Sequence, residues 1–192
     1  PALLRYLPTL NHTHFAYVGS VYGSGAWAVA EACTQLGLPC TLFLATSDYV
    51  PVWLPELGKT TAQLHWCPPT PVSELHAKIS HDHPTLCNLP LGLDTPDFIE
   101  TMVRIMQVAL PSPPDELWLP ALSGVLARAA CRAFPNTDIH AVSAAKHPGD
   151  IGRAHLHYAP EKFHRPAQTP PPYPACPFSD AKVWQFASQS ST

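Results

Sequence analysis

Two short polar turns in this sequence carry the residue types that hold small anions. The first is Ser20-Val21-Tyr22-Gly23-Ser24, flanked by Gly19 and Gly25; the second is Ser123-Gly124-Val125. Each follows an apolar run and precedes an Ala-rich one. Serine hydroxyls and the free N–H groups of a helix start can hold a carboxylate or phosphate without a lysine, because those donors point outward and the helix end is partly positive. The expected partner is therefore a small anionic or phosphorylated molecule. Each turn also reads as a plain strand-to-helix connection, with Ser123 an ordinary cap. Their recurrence in one chain favours a ligand. Neither turn fits GxGxxG, and Ser123 lacks the flanking glycines of a nucleophile elbow.

A second polar stretch, residues 146–165, collects Lys146, His147, Arg153, His155, His157, Lys162, His164 and Arg165. It reads either as a loop folding over an anionic substrate or as solvated surface. His155-x-His157 would put both imidazoles on one face of a strand, as metal ligands require. No third ligand has suitable spacing, so no metal is expected.

Strands and helices must position these groups. Strands are predicted at 14–18, 40–45, 63–67, 117–119 and 138–143, with a short extended piece at 86–89. Helices are predicted at 24–36, 50–58, 71–79 with Ser73 as cap, from 94 to 109, and at 124–134. Gly37 is the expected stop of the first of these, and Thr95-Pro96 opens the fourth with a cap and a proline. Apolar strands alternating with helices imply an α/β fold of three layers, a mostly parallel sheet with helices on both faces. One sheet of four to six strands is expected, within an α/β domain spanning 1–160. Residues 161–192, rich in proline and aromatics, would pack on it and end in a helix at 180–188. Ligands of such sheets bind at the carboxyl ends of strands. Both turns fall there, and the expectation is that they converge at one sheet edge.

Bulk composition narrows the function class. The 192 residues are 46% hydrophobic, enough for a buried core, and carry a formal charge of −3 with only 11 Lys+Arg. No basic block exists to track a nucleic acid, so an extended nucleic-acid surface is not expected. No stretch is apolar and long enough to span a membrane, and no secretory leader is evident. The 6 cysteines are scattered without a CxxC pair, which suits reduced thiols and a cytoplasmic location. Trp27, Trp53 and Trp66 are candidates for a homodimer interface, although a tryptophan is more often core.

The run Tyr17-Val18-Gly19-Ser20-Val21-Tyr22-Gly23-Ser24-Gly25-Ala26-Trp27, followed by Leu36-Gly37-Leu38-Pro39-Cys40, resembles the fold-type II pyridoxal-phosphate enzymes. That family includes tryptophan synthase β, threonine dehydratase and 1-aminocyclopropane-1-carboxylate deaminase. Leu119-Pro120-Ala121-Leu122-Ser123-Gly124-Val125 resembles its phosphate cup, and the likeness covers roughly residues 14–145. The resemblance implies pyridoxal 5'-phosphate as cofactor and lyase or deaminase chemistry on an amino acid or amino-acid-like adduct. It assigns the cofactor phosphate to Ser123, Gly124 and Val125, and the substrate to Ser20, Val21, Tyr22, Gly23 and Ser24. The family's Schiff-base lysine lies upstream of the substrate loop, whereas the first lysine here is Lys59. Lys182 is the expected replacement amine, with Lys146 the other lysine considered, and Tyr22 is a second catalytic candidate. A relative that has lost the chemistry and only binds, or a cofactor-free enzyme using the cup for a nucleotide or sugar phosphate, are the alternatives. The tail from Tyr173 to Trp184 is similar to closing segments of compact phage-encoded relatives, which implies a link to nucleotide or DNA-base modification.

Overall fold

The computed structural model describes residues 1–51 and 53–190. Val52, inside the helix expected at 50–58, and the last two residues lie outside that description. The chain divides into two compact units, Pro1–Leu93 and Asp94–Thr192.

The first unit opens with α1 (Ala2–Tyr6), a helix that the sequence pattern did not reveal, followed by a 3-10 turn. Then come β1 (Phe15–Ser20), α2 (Gly25–Leu36), β2 (Cys40–Ala45), the short α3 (Leu54–Leu57), β3 (Gln63–Cys67), α4 (Val72–Asp82) and β4 (Cys87–Asn88). The strands form one parallel sheet in the order β3-β2-β1-β4. β1 lies inside the sheet, which explains its unbroken apolar character. Ala16, Val18 and Phe43 meet Leu75 and Ile79 of α4. Helix α2 ends where expected, at Gly37 in the left-handed conformation with φ 66°. The Leu38 N–H returns to the Cys33 carbonyl at 2.8 Å and closes the stop. Helix α4 does not use Ser73 as its cap. Pro71 holds that position without a side-chain bond, and Ser73 falls inside the helix.

The second unit comprises α5 (Pro96–Ala109), β5 (Glu116–Pro120), α6 (Val125–Ala133), β6 (Asp138–Ser143), β7 (His155–Tyr158) and α7 (Asp180–Ala187). Thr95 caps α5, its hydroxyl accepting from the Phe98 N–H at 3.1 Å. The strands form a second parallel sheet, β5-β6-β7. One of its faces packs Leu119, Ile139 and Ala141 against Ala127 and Ala130 of α6. The other receives α7. Thus the α/β class and parallel pairing stand, with helices on both sides of strands, while the pairings fall into two sheets rather than one.

No helix joins β6 to β7. Residues 144–154 make that parallel crossover as a loop, pinned where Arg153 donates to the carbonyls of Phe134 at 2.6 Å and Thr137 at 2.9 Å. Ile151 and Ala154 pack on the α6 core in place of a crossover helix. Among the described residues no helix is long and apolar enough to cross a membrane.

Candidate functional site

In the first unit the polar turn follows the carboxyl end of β1. The connection from β1 leads to β2 on one side, while the chain later returns to β4 on the other side of β1. The turn therefore sits where the strand order changes direction, the place at which open α/β sheets bind ligands. The first ladder bond of α2 runs from the Ala28 N–H to the Ser24 carbonyl, at 3.0 Å. The N–H groups of Gly25, Ala26 and Trp27 thus precede the ladder, and no side chain caps them. Ser20 is half-buried at the strand end, Val21 is buried, and Ser24 is exposed at the N-cap.

Three tyrosines shape this turn. The Tyr22 hydroxyl lies 3.1 Å from Ser47 Oγ, and its ring stacks on Tyr49 at 5.4 Å. Tyr17 was not among the expected site residues, yet it dictates two of the glycines. A Cβ on Gly19 would stand 2.6 Å from the Tyr17 ring, and one on Gly25 would strike the Tyr17 hydroxyl. Of the three glycines in this turn, Gly23 alone faces open space. The glycines at 19 and 25 thus let a phenol reach the start of α2. Burial raises the Tyr17 pKa, so that the hydroxyl holds its proton at neutral pH. The signal for this was the spacing: Tyr17 and Gly19 share one face of a strand.

The second turn follows β5 in the same manner. Gly124 is the N-cap of α6 and adopts φ 80°. The first ladder bond runs from the Arg128 N–H to the Gly124 carbonyl at 2.9 Å, so the N–H groups of Val125, Leu126 and Ala127 precede it. No side chain caps them. The turn is clamped from behind by the 144–154 crossover. The Gly149 N–H donates to the Leu122 carbonyl at 2.8 Å, and a Cβ on Gly124 would strike the Asp150 carbonyl. Arg128 and Arg132 do not face an anion alone, being paired with Asp94 at 2.6 Å and Glu100 at 2.5 Å.

Lys182 is only 1% exposed. Its stem lines a cavity of about 10 Å³ with Pro120, Ala121, Leu122, Val142, Ala144, Phe178 and Ser179, beside the second turn. Its Nζ donates to the Lys162 carbonyl at 2.9 Å and the Glu161 carbonyl at 3.4 Å. Burial lowers its pKa, against the opposing pull of Glu161 and Cys176.

His155 and His157 do share one face of β7. His157 Nε2 lies 3.0 Å from His140 Nδ1, and His155 Nε2 lies 3.0 Å from Asp138 Oδ1. Their nitrogens address these separate neighbours, and no group of three or more ligating side chains among the described residues is arranged to hold a metal ion. None of the six cysteines is in a disulfide. Trp53 is buried, whereas Trp27 and Trp66 are exposed.

Comparison with family models and with curated proteins returns no match. Comparison with solved structures returns many. An ACC deaminase homologue aligns with a TM-score of 0.73 at 14% identity, over 96% of this chain and 71% of that one. The processed form of threonine deaminase isoform 2 from Solanum lycopersicum aligns at 0.60 and 19% identity, over 74% of this chain and 41% of that one. A pyridoxal 5'-phosphate-dependent aspartate racemase aligns at 0.58 and 19% identity, over 74% and 45%. The fold is that of the fold-type II pyridoxal-phosphate enzymes. The chain spans about seven tenths of the deaminase homologue and less than half of the other two. None of these relatives supports a phage origin or DNA-base chemistry.

Within the fold-type II frame the residues present fit one end of the cofactor. The α6 start offers three uncapped N–H groups and a rigid left-handed glycine, the donor set that a phosphate monoester takes. Lys182 does not fit the amine end as it is placed. Two carbonyls occupy its Nζ, and the cavity beside it has room for about one water.

Proposed function

We propose that this protein anchors the phosphate of pyridoxal 5'-phosphate, or of a phosphate ester of similar size, at the α6 start, and serves lyase or deaminase chemistry on an amino acid or a like adduct. The observation that carries this reading is the α6 turn itself. Its Val125, Leu126 and Ala127 N–H groups are free of a side-chain cap, and the packing of Gly124 on Asp150 holds them in place. A dianion there gains charge-assisted bonds and the helix field without any ordering cost in the loop. When bound, the cofactor supplies an electron sink for the α-carbon of an amino acid. Ser123 adds a hydroxyl to the phosphate.

In the first unit, the α2 start is by itself a place for a small carboxylate. Gly25, Ala26 and Trp27 offer N–H groups, with Ser20, Gly23 and Ser24 lining the turn. The Tyr17 hydroxyl, kept protonated by burial, is a further donor for an anion at that helix end. Tyr22 is held by Ser47 and Tyr49 and orders the turn from its outer side.

A second reading, a fold-type II relative that binds without catalysis, is favoured by the two carbonyl bonds of Lys182. Thermal denaturation with pyridoxal phosphate and with pyridoxal tests the phosphate anchor. Only the phosphorylated ligand is expected to stabilise, by about 2.7 kcal/mol at one hundred times its Kd. Equal stabilisation by pyridoxal, or none by either, contradicts it. Borohydride treatment followed by mass spectrometry then divides the readings: a pyridoxyl group retained on Lys182 supports chemistry, and an unlabelled chain supports binding alone.

A further inference from the structure

We propose that the contact between His140 and His157 is an acid-released latch for the C-terminal helix α7. His140 lies mid-strand in β6 and His157, level with Val142, lies nearer the carboxyl end of β7, both on the face that α7 covers. Register puts Trp118, His140 and His155 side by side across β5, β6 and β7, with Val142 beside His157. Glu116 and Asp138 form the preceding row on the same face. Phe186 of α7 closes over this row, 6.2 Å from the Trp118 ring and 5.6 Å from His157. Just beyond α7, the Ser190 hydroxyl reaches the Glu116 carboxylate at 2.7 Å.

The neighbouring carboxylate favours one proton arrangement: Asp138 can only accept, so a proton on His140 Nε2, 3.3 Å from Asp138 Oδ2, is the form it stabilises. In neutral His140 the Nδ1 is then bare, and accepts from His157 Nε2–H across 3.0 Å. One added proton is tolerated: the pair becomes a shared imidazolium beside Asp138 and Glu116. A second proton leaves N–H facing N–H across that same gap, with two positive rings in contact. The hydrogen bond breaks, and the ring supporting Phe186 must move. Burial first, then the charges of His140 and His155, hold His157 below the usual histidine range. Its neutral state is therefore favoured while α7 is docked, and acidification acts against docking.

β5 brings Glu116, also held by the Trp118 indole N–H; β6 brings Asp138; β7 brings His155. The charged groups on α7 are Asp180, exposed at its first turn, and Lys182, whose Nζ is turned to the carbonyls of 161 and 162. Neither supplies α7 with a carboxylate facing the rings. Release of α7 would also take the Lys182 stem from its cavity beside the second turn.

Amide hydrogen exchange of the whole chain, corrected for intrinsic rates, tests the latch near neutral pH and at about pH 5. Protection of Val183–Phe186 is expected to fall severalfold, while that of Ala127–Ala130 in α6 holds. His157→Gln, which keeps a donor to His140 but does not titrate, should abolish the fall, and His140→Gln should do the same from the other side. Unchanged protection of α7 in the wild type, or the same fall in both variants, overturns the proposal.

Discussion

Gly124→Ala separates the packing of the second turn from its backbone conformation. The residue sits at φ 80°, and a Cβ there would meet the Asp150 carbonyl well inside contact distance. The left-handed conformation alone costs a residue with a Cβ about 1–2 kcal/mol. Displacing the clamped crossover adds about 1–3 kcal/mol, the usual range for forced overpacking. Gly152 is the internal control, because it lies in the same crossover at φ 64° with its nearest neighbours at an ordinary 3.6 Å. Gly152→Ala should therefore cost only the conformational part. Urea denaturation followed by far-UV circular dichroism measures both. Gly124→Ala is expected to be the more destabilising by at least ~1 kcal/mol. Equal losses would mean that the crossover yields freely and that the turn is not clamped.

Two other predictions concern the remaining site groups. Gly25→Ala should destabilise the first unit by about 1–3 kcal/mol through its clash with the Tyr17 hydroxyl, and adding Tyr17→Phe should recover part of that loss in denaturant titrations. Lys182→Met should change the alkaline stability profile. Burial lowers the pKa of Lys182, so the unfolded chain holds more protons between the lowered value and the ordinary lysine value. Stability from this group rises with pH across that window. The difference between wild type and Lys182→Met, measured by urea denaturation at several alkaline pH values, should carry that slope; a constant difference refutes the assignment.

Much of the fold was legible because β1 and β2 are apolar and largely buried and its stops are chemical. β2, β3 and β6 have the bounds expected of them, and Gly37 and Thr95 act as read. The misses have physical causes. β7 is four residues of His, Leu, His and Tyr at a sheet edge, too polar to announce itself as a strand. α1 is a single turn and a half, shorter than any periodicity can register. The division into two sheets is a matter of long-range pairing, which local pattern does not encode. At the site, the two turns and their uncapped helix starts followed from glycine and serine placement. The role of Tyr17 did not, because its ring crosses from a strand to a helix eight residues ahead. Likewise His140 looked like one more strand residue until β7 brought His155 and His157 beside it.

The anion site at the α6 start is tested most directly by nuclear magnetic resonance of the Val125, Leu126 and Ala127 amides during titration with pyridoxal phosphate. The wild type should show saturable shifts at these three amides. Ser123→Asp, which sets a carboxylate beside the same donors, should lose the shifts while folding at least as stably, since an acidic side chain near a helix start is favourable by about 0.3–1 kcal/mol. Shifts that appear elsewhere and spare these amides, or that persist undiminished in Ser123→Asp, would contradict the account.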